Sequence, residues 1–380
     1  MHKIKIISIF LPLYYLSFYI CRYSILPIGP LLIEKNNLGT VEYGLSLSAL
    51  YFGYVLMLMP AGLIVRKIGA KKTIFLGVIG TIIANIMMLM SLSVLTLFLA
   101  LFLNGLTQGL IWPSLMQIVA LNIGKNRMDW IVGLMMTAAI IGPSLVFVIG
   151  GFLISLNLPW SIFIVGPIIL LLLTFLFIKI DFKSKTYSVS RKINPGYIDK
   201  NIVLLAVIYF CFYSILRGII GWLPSFLISE LKLGESLASI GSSIFPLLET
   251  TGAFIGGYFS NRTKNVRIVF VTAFLLSFIS LITYSVTNIS IILVGIAFLS
   301  ISMPEWLFFS RLPLMVKAEE VAFASGFIDT MGYIGSSISS YLIGYMVSIT
   351  ENYEYVILLL AFYSVIGLLF SFFIELNNKS

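Results

Sequence analysis

The chain has 380 residues, of which 59% are hydrophobic and only 10% charged, with a formal net charge of +9. Soluble globular domains carry about a quarter charged residues, so this composition excludes a soluble enzyme. The positive balance does not indicate nucleic acid either. The cations fall in short connectors between apolar runs, with no basic cluster interleaved with stacking aromatics.

Apolar runs long enough to cross a bilayer recur along the whole length. They predict twelve spans in two sets of six. The first set is Ile6–Pro30, Leu45–Ile64, Thr73–Met90, Val94–Leu121, Ile131–Leu156 and Trp160–Ile178. The second is Ile202–Ile228, Ala238–Phe259, Ile268–Val286, Ile289–Val316, Ala324–Ile349 and Tyr355–Ile374. Backbone groups in lipid must bond internally, so each span is expected to be a helix. The first run is too long for a signal-peptide core and no small-residue cleavage site follows it, so it is expected to be a permanent helix. Cys21 and Cys211 fall inside spans, which indicates neither a disulfide framework nor a metal site. The single histidine, His2, is terminal and supplies no buried proton relay.

Between the sets lies a basic, Ser-bearing segment with a Pro-Gly pair, KIDFKSKTYSVSRKINPGYIDK. The expected organisation is a bundle over 1–178, a cytoplasmic linker over 179–200 and a second bundle over 201–380. FYICRYSILPIGPLLIE at 18–34 and FYSILRGIIGWLPSFLISE at 212–230 each place a Phe-Tyr pair twelve residues before a proline, at an offset of 194. GLIVRK at 62–67 and GYFSNR at 257–262 match at an offset of 195. Two matches at nearly one offset point to a six-plus-six duplication, whose substrate site is expected between the halves near the membrane midplane.

Lys and Arg counts set the orientation. With the N-terminus inside, nineteen of the twenty-four fall on the cytoplasmic side. Only Lys35 and Lys232 fall outside, and three lie within spans. Both termini are therefore expected in the cytoplasm, and the cell membrane is the expected location.

Arg22 and Arg217 sit mid-span at nearly equivalent places in the two halves. An arginine at that depth costs about 2.5–3.5 kcal/mol on insertion scales, so it marks function by default. Each lies about sixteen residues from the cytoplasmic start of its helix, a rise of roughly 24 Å before tilt. A guanidinium stays protonated when buried, and its fork suits carboxylate or phosphate. The bland alternative is a structural ion pair with an internal acid, Glu249 or Glu305.

Glu249 stands mid-helix in FPLLETTGAFIGG, beside a Gly252-x-x-x-Gly256 close-packing pattern. It is a candidate proton-coupling carboxyl or a partner of Arg217, and the two roles could alternate in one cycle. Glu305, in SMPEWLFFSR, is the second coupling candidate. Arg311, six residues further on, is expected near the inner mouth. Asp329 lies near the cytoplasmic start of the eleventh helix, where the macrodipole alone would favour an acid. An Arg66 to Asp329 inner gate is the functional expectation.

These residues resemble the major facilitator superfamily over the whole chain, through the six-plus-six layout and the basic connector after helix 2 with its weaker copy after helix 8. YYLSFYICRYSILPIGPLL, GLTQGLIWPSL, YSILRGIIGWLPSFL and GFIDTMGYIGSSISSYLIGY resemble its organophosphate:phosphate antiporter branch. The first two patterns also resemble the anion:cation symporter branch. The resemblance implies an all-α integral membrane fold of twelve transmembrane helices in two pseudo-symmetric bundles. It implies that Arg22 and Arg217 hold the substrate's anionic group, with Tyr15, Tyr19, Tyr213 and Tyr333 lining the site. The branch's helix 2 lysine falls on Leu58, its helix 5 histidine has no counterpart, and the superfamily's connector aspartate is Arg66. The helix 4 arginine of proton-driven exporters is replaced around Asn104, which weakens a drug-exporter reading.

The expected function is secondary transport of a small organic anion, a phosphate ester or carboxylate, by alternating access. No phosphate-cradling nucleotide loop is present, so counter-anion exchange or proton symport would drive it. The expectation includes no enzymatic activity, cofactor, metal or nucleic acid, and a monomer in the lipid bilayer. The competing expectations are a proton-coupled exporter of hydrophobic compounds with structural arginines, a proton-coupled carboxylate or sugar-acid symporter using Glu249, and a transport-derived receptor.

Overall fold

The computed structural model describes residues 2–35, 38–90, 93–123, 125–186, 200–263, 265–287, 290–310, 312 and 321–374. Arg311 lies outside the described residues, so its expected place at the inner mouth has no structural account. The described residues are helical, with short turns and no strand.

In the first half the helices are α1 (His2–Tyr23), α2 (Gly29–Lys35), α3 (Thr40–Ile68), α4 (Ala70–Leu89), α5 (Val94–Gln108), α6 (Ile111–Asn122), α7 (Lys125–Ser155) and α8 (Ile162–Lys179). The second half holds α9 (Lys200–Ile220), α10 (Leu223–Leu231), α11 (Glu235–Ser242), α12 (Ile244–Thr263) and α13 (Val266–Thr287). It ends with α14 (Ile292–Ile301), α15 (Leu307–Ser310), α16 (Val321–Thr350) and α17 (Glu354–Ser371).

Nine described segments are long and apolar enough to cross a membrane. The other three expected spans fall on α11–α12, α14–α15 and α16, with residues 289, 311 and 313–316 of the tenth outside the described residues. Several spans are broken rather than continuous. The first passes from α1 through a 3-10 turn at Leu26–Ile28 into α2, because Pro27 has no N–H to continue the ladder. The seventh breaks between α9 and α10 just before Pro224. The fourth breaks at Gly109 and Leu110, and the tenth turns over 302–306 around Pro304. Breaks in spans one and seven, and in four and ten, recur at the offset of the duplicated motifs.

The chain forms two compact units, Met1–Arg191 with Gly221–Ile244, and Lys192–Ile220 with Phe245–Ser380. In the first unit Phe10, Tyr14, Phe18 and Phe177 build a buried aromatic seam, with Tyr14 and Phe177 stacked at 5.1 Å. Phe182 at the start of the linker adds to it, stacked on Phe177 at 4.9 Å. Asn122 fixes that segment, accepting from the Lys183 N–H at 2.8 Å and donating to its carbonyl at 3.0 Å.

In the second unit the serine run of α16 faces α9. Ser336, Ser339 and Ser340 donate to the carbonyls of Tyr213, Ser214 and Gly218. Interhelical bonds of this kind replace the hydrophobic drive that lipid does not supply. They fix the helix that carries Arg217. The Gly252-x-x-x-Gly256 pattern also performs as read. A side chain at either glycine would collide with backbone at Leu299 or Met303, so α12 lies directly on the end of α14.

Overpacking such a contact costs about 1–3 kcal/mol or more. Gly256→Val is therefore expected to lower the melting temperature in detergent by several degrees. Gly257→Val is the control, because a Cβ there meets only the Trp306 ring at 3.8 Å. Equal melting temperatures for the two variants would refute the close packing.

Candidate functional site

Among the described residues each unit has one buried arginine, at the last turn of a broken helix, and the two are answered differently. In the first unit Arg22 ends α1 and is 4% exposed. Its Nε donates to Gln108 Oε1 at 2.9 Å. Gln108 Nε2 donates to Asn104 Oδ1 at 2.8 Å, and Asn104 Nδ2 donates to the Cys21 carbonyl at 3.2 Å. Asn85 Nδ2 reaches the same carbonyl at 3.2 Å and Ser24 Oγ at 3.1 Å. A helix end leaves its last carbonyls without intrahelical donors, and the break at Pro27 exposes them inside the bundle. The amides of α4 and α5 supply what the helix no longer does.

Aromatic rings complete the arginine's surroundings. The Arg22 guanidinium carbon lies 4.3 Å from the Tyr54 ring centroid and 4.9 Å from that of Tyr19. Both are within cation–π range. Tyr15 hydroxyl meets Tyr19 hydroxyl at 3.4 Å, and its ring lies 5.3 Å from Trp112. Thus Tyr19 lies against Arg22, and Tyr15 joins it through the Tyr19 hydroxyl.

In the second unit Arg217 ends α9 and pairs through both terminal nitrogens with Glu249 of α12. Nη1 donates to Oε2 at 2.9 Å, and Nη2 donates to Oε1. Glu249 is 1% exposed. Glu305, set by the turn around Pro304, stands beside the Glu249 carboxyl and within electrostatic reach of Arg217. Its Oε2 is fully buried with no hydrogen-bond partner among the described residues. Three ionisable side chains are thus gathered here, one base and two acids.

The tyrosines of this unit also gather. The Arg217 guanidinium lies 5.6 Å from the Tyr213 ring, and Tyr213 meets Tyr333 edge-on at 5.2 Å. Tyr209 packs on Tyr213 at 4.5 Å. Asp329, half-buried on α16, lies within electrostatic reach of Tyr209 and Tyr213. Arg66, half-buried, is in the last turn of α3 in the first unit.

Sequence reasoning passed over Gln108, Asn85, Tyr54 and Tyr209, and named Asn104 only as a replaced position. A usable signal existed in Asn104 and Gln108. Two amides at i and i+4 on one face of an apolar helix are expensive unless they bond to something. The distribution of acids is a second signal. The first six spans contain no Asp or Glu, whereas Glu249, Glu305 and Asp329 all belong to the second six.

Broken membrane-length helices with a buried cation in each unit define a polytopic membrane protein with polar interiors. The family model of the Major Facilitator Superfamily matches residues 13–313 and 205–379, and the chain belongs to that superfamily. It is 23% identical over 96% of its length to the probable sulfoacetate transporter SauU of Cupriavidus necator, spanning 92% of that protein. It is 21% identical to the hexuronate transporter of Bacillus subtilis, covering 86% of this chain and 84% of that one. A bacterial homolog of the human lysosomal transporter Spinster, solved inward-facing and occupied, superposes with a TM-score of 0.81 at 16% identity. That match covers 98% of this chain and 97% of the other. The all-α, twelve-helix major facilitator fold expected from sequence is shown, as is membership of a transporter family rather than an enzyme family.

Removing one partner of a buried ion pair costs about 3–5 kcal/mol, because the other charge is left uncompensated. Glu249→Gln is expected to lower thermal stability markedly, and Arg217→Met with Glu249→Met to recover most of the loss. A double variant no more stable than the single would show that the pair is not a coupled unit.

Proposed function

We propose that this protein is a secondary transporter of a small organic anion across the cell membrane by alternating access, with both termini cytoplasmic. Arg22 and Arg217 receive the anionic group, a carboxylate, sulfonate or phosphate ester. Tyr15, Tyr19, Tyr213 and Tyr333 shape the pocket around it. The observation that carries this reading is the guanidinium buried in each unit at the end of a broken helix, surrounded by tyrosines. The names of the relatives support the same chemistry, since sulfoacetate and hexuronates are organic anions.

The Arg217–Glu249 pair supplies a coupling device. An anion competes with Glu249 for the guanidinium, and a proton on Glu249 or Glu305 weakens that acid's hold on it. One proton among the three groups balances one cation against two acids. Anion and proton would then favour the same rearrangement, and a ligand shifts a conformational equilibrium only through such a difference in affinity. A counter-anion taking the place of the proton is the other form of the same cycle. Arg66 and Asp329 serve as inner-gate residues in this reading.

The closed Arg217–Glu249 pair also favours a second reading. In that reading the arginines are structural and the cargo is a hydrophobic compound exported against protons. Thermal unfolding of the purified protein separates the two. The panel is sulfoacetate, glucuronate, glycerol 3-phosphate, inorganic phosphate and xylose. Ligand at a hundred times its Kd stabilises the folded state by about 2.7 kcal/mol. One anion class is expected to raise the melting temperature of wild type and of neither Arg22→Ala nor Arg217→Ala. No anion shift, or equal shifts in all three proteins, would sink the anion reading. For the gate, Asp329→Asn is expected to increase labelling of cytoplasmic-side cysteine probes; unchanged labelling and unchanged transport would remove Asp329 from that role.

A further inference from the structure

Gln108 meets Arg22 at the only nitrogen of the guanidinium that is not part of its terminal fork. The Nε–H donates to Oε1 at 2.9 Å, in a site where Arg22 is 4% exposed and Gln108 1%. The amide cannot flip freely, because its own nitrogen is committed to Asn104 Oδ1 at 2.8 Å. Asn104 is committed in turn to the Cys21 carbonyl at 3.2 Å. This chain of bonds begins and ends on adjacent residues of α1, Cys21 and Arg22, and closes through α5. It fixes the guanidinium plane by a bond that an amide makes and a hydrocarbon cannot.

The identity of the acceptor matters as much as its position. A glutamate at 108 would make the same bond and bring a negative charge to it. Gln108 contributes the acceptor and no charge. In the other unit the acceptor facing the arginine is the carboxylate of Glu249. We propose that Gln108 is a positioning and specificity-determining residue, which aims Arg22 while adding no negative charge beside it, and so favours anions. The inference rests on the reading of Arg22 as an anion-receiving group.

The test uses the full-length protein in proteoliposomes and in detergent, with sulfoacetate, glucuronate and glycerol 3-phosphate as probes. Gln108→Glu keeps the shape and the bond to Arg22 but cancels the charge and gives up the donation to Asn104. Gln108→Leu keeps the charge and roughly the volume but loses the aim. For the probe that binds wild type most tightly, Gln108→Glu is expected to raise the apparent Kd at least tenfold while the protein still unfolds in one cooperative transition without ligand. Gln108→Leu is expected to raise KM about tenfold while kcat stays within about threefold. A purely structural role would instead lower stability in both variants and move kcat and KM together.

If Arg22→Ala loses the probe while both Gln108 variants bind and transport as wild type, the inference is overturned and the Arg22 reading survives. If Arg22→Ala binds as wild type, or no probe binds wild type, the anion reading has failed and the inference falls with it.

Discussion

A guanidinium keeps its proton in any environment a protein offers, so burying one leaves a full positive charge that the surroundings must answer. In each unit a group of buried polar side chains is arranged around such a charge. The desolvation penalty of an ion is several kcal/mol even after relaxation, and only oriented dipoles, rings or a counter-charge reduce it. The first unit uses dipoles and rings: the Gln108 amide and the faces of Tyr19 and Tyr54. The second uses a counter-charge, the carboxylate of Glu249.

Both arginines stand at helix breaks, and the break is part of the answer. A continuous helix gives each of its carbonyls a backbone donor, whereas a break leaves carbonyls with none. Stopping α1 at Tyr23 frees the Cys21 carbonyl, which then anchors Asn85, Asn104 and Ser24. In α9 the serine hydroxyls of α16 bond to the backbone around Arg217. Non-helical backbone is tolerated at such depth only where protein or a polar cavity lines it. The same proline and glycine positions that weaken the ladder therefore set the arginine's neighbours.

Much of this could be read from the amino-acid order, for a definite reason. Charges inside apolar runs are rare enough to be conspicuous, so Arg22, Arg217, Glu249 and Glu305 were visible individually. Gly252 and Gly256 were visible because backbone-to-backbone approach tolerates no Cβ. What the order concealed was which neutral groups matter. Tyr54 and Tyr209 are two of nineteen tyrosines, and nothing in the order of residues sets them apart. Gln108 and Asn104 carry no charge, and only the fold shows that one ends on an arginine and the other on a freed carbonyl. Glu305 lies near Glu249 only because the chain turns at Pro304, a tertiary fact that helical spacing does not predict. The linker, expected over 179–200, is seen to begin docked, with Phe182 inside the aromatic seam and Lys183 held by Asn122.

The uneven distribution of acids has a mechanistic consequence. The near-equivalent arginines of a duplicated chain would be redundant if both were answered alike. A cation held by a neutral amide presents positive charge at all times, whereas one held by a carboxylate presents it only when the carboxylate is protonated or displaced. The first arrangement suits a permanent anchor for an anion and the second a conditional one. With all three intramembrane acids in the second six spans, only that half can respond to protons through its own carboxyls. In the proposed transport cycle, halves with near-equivalent arginines would divide recognition from coupling by one change of chemistry, an amide on one side and a carboxylate on the other.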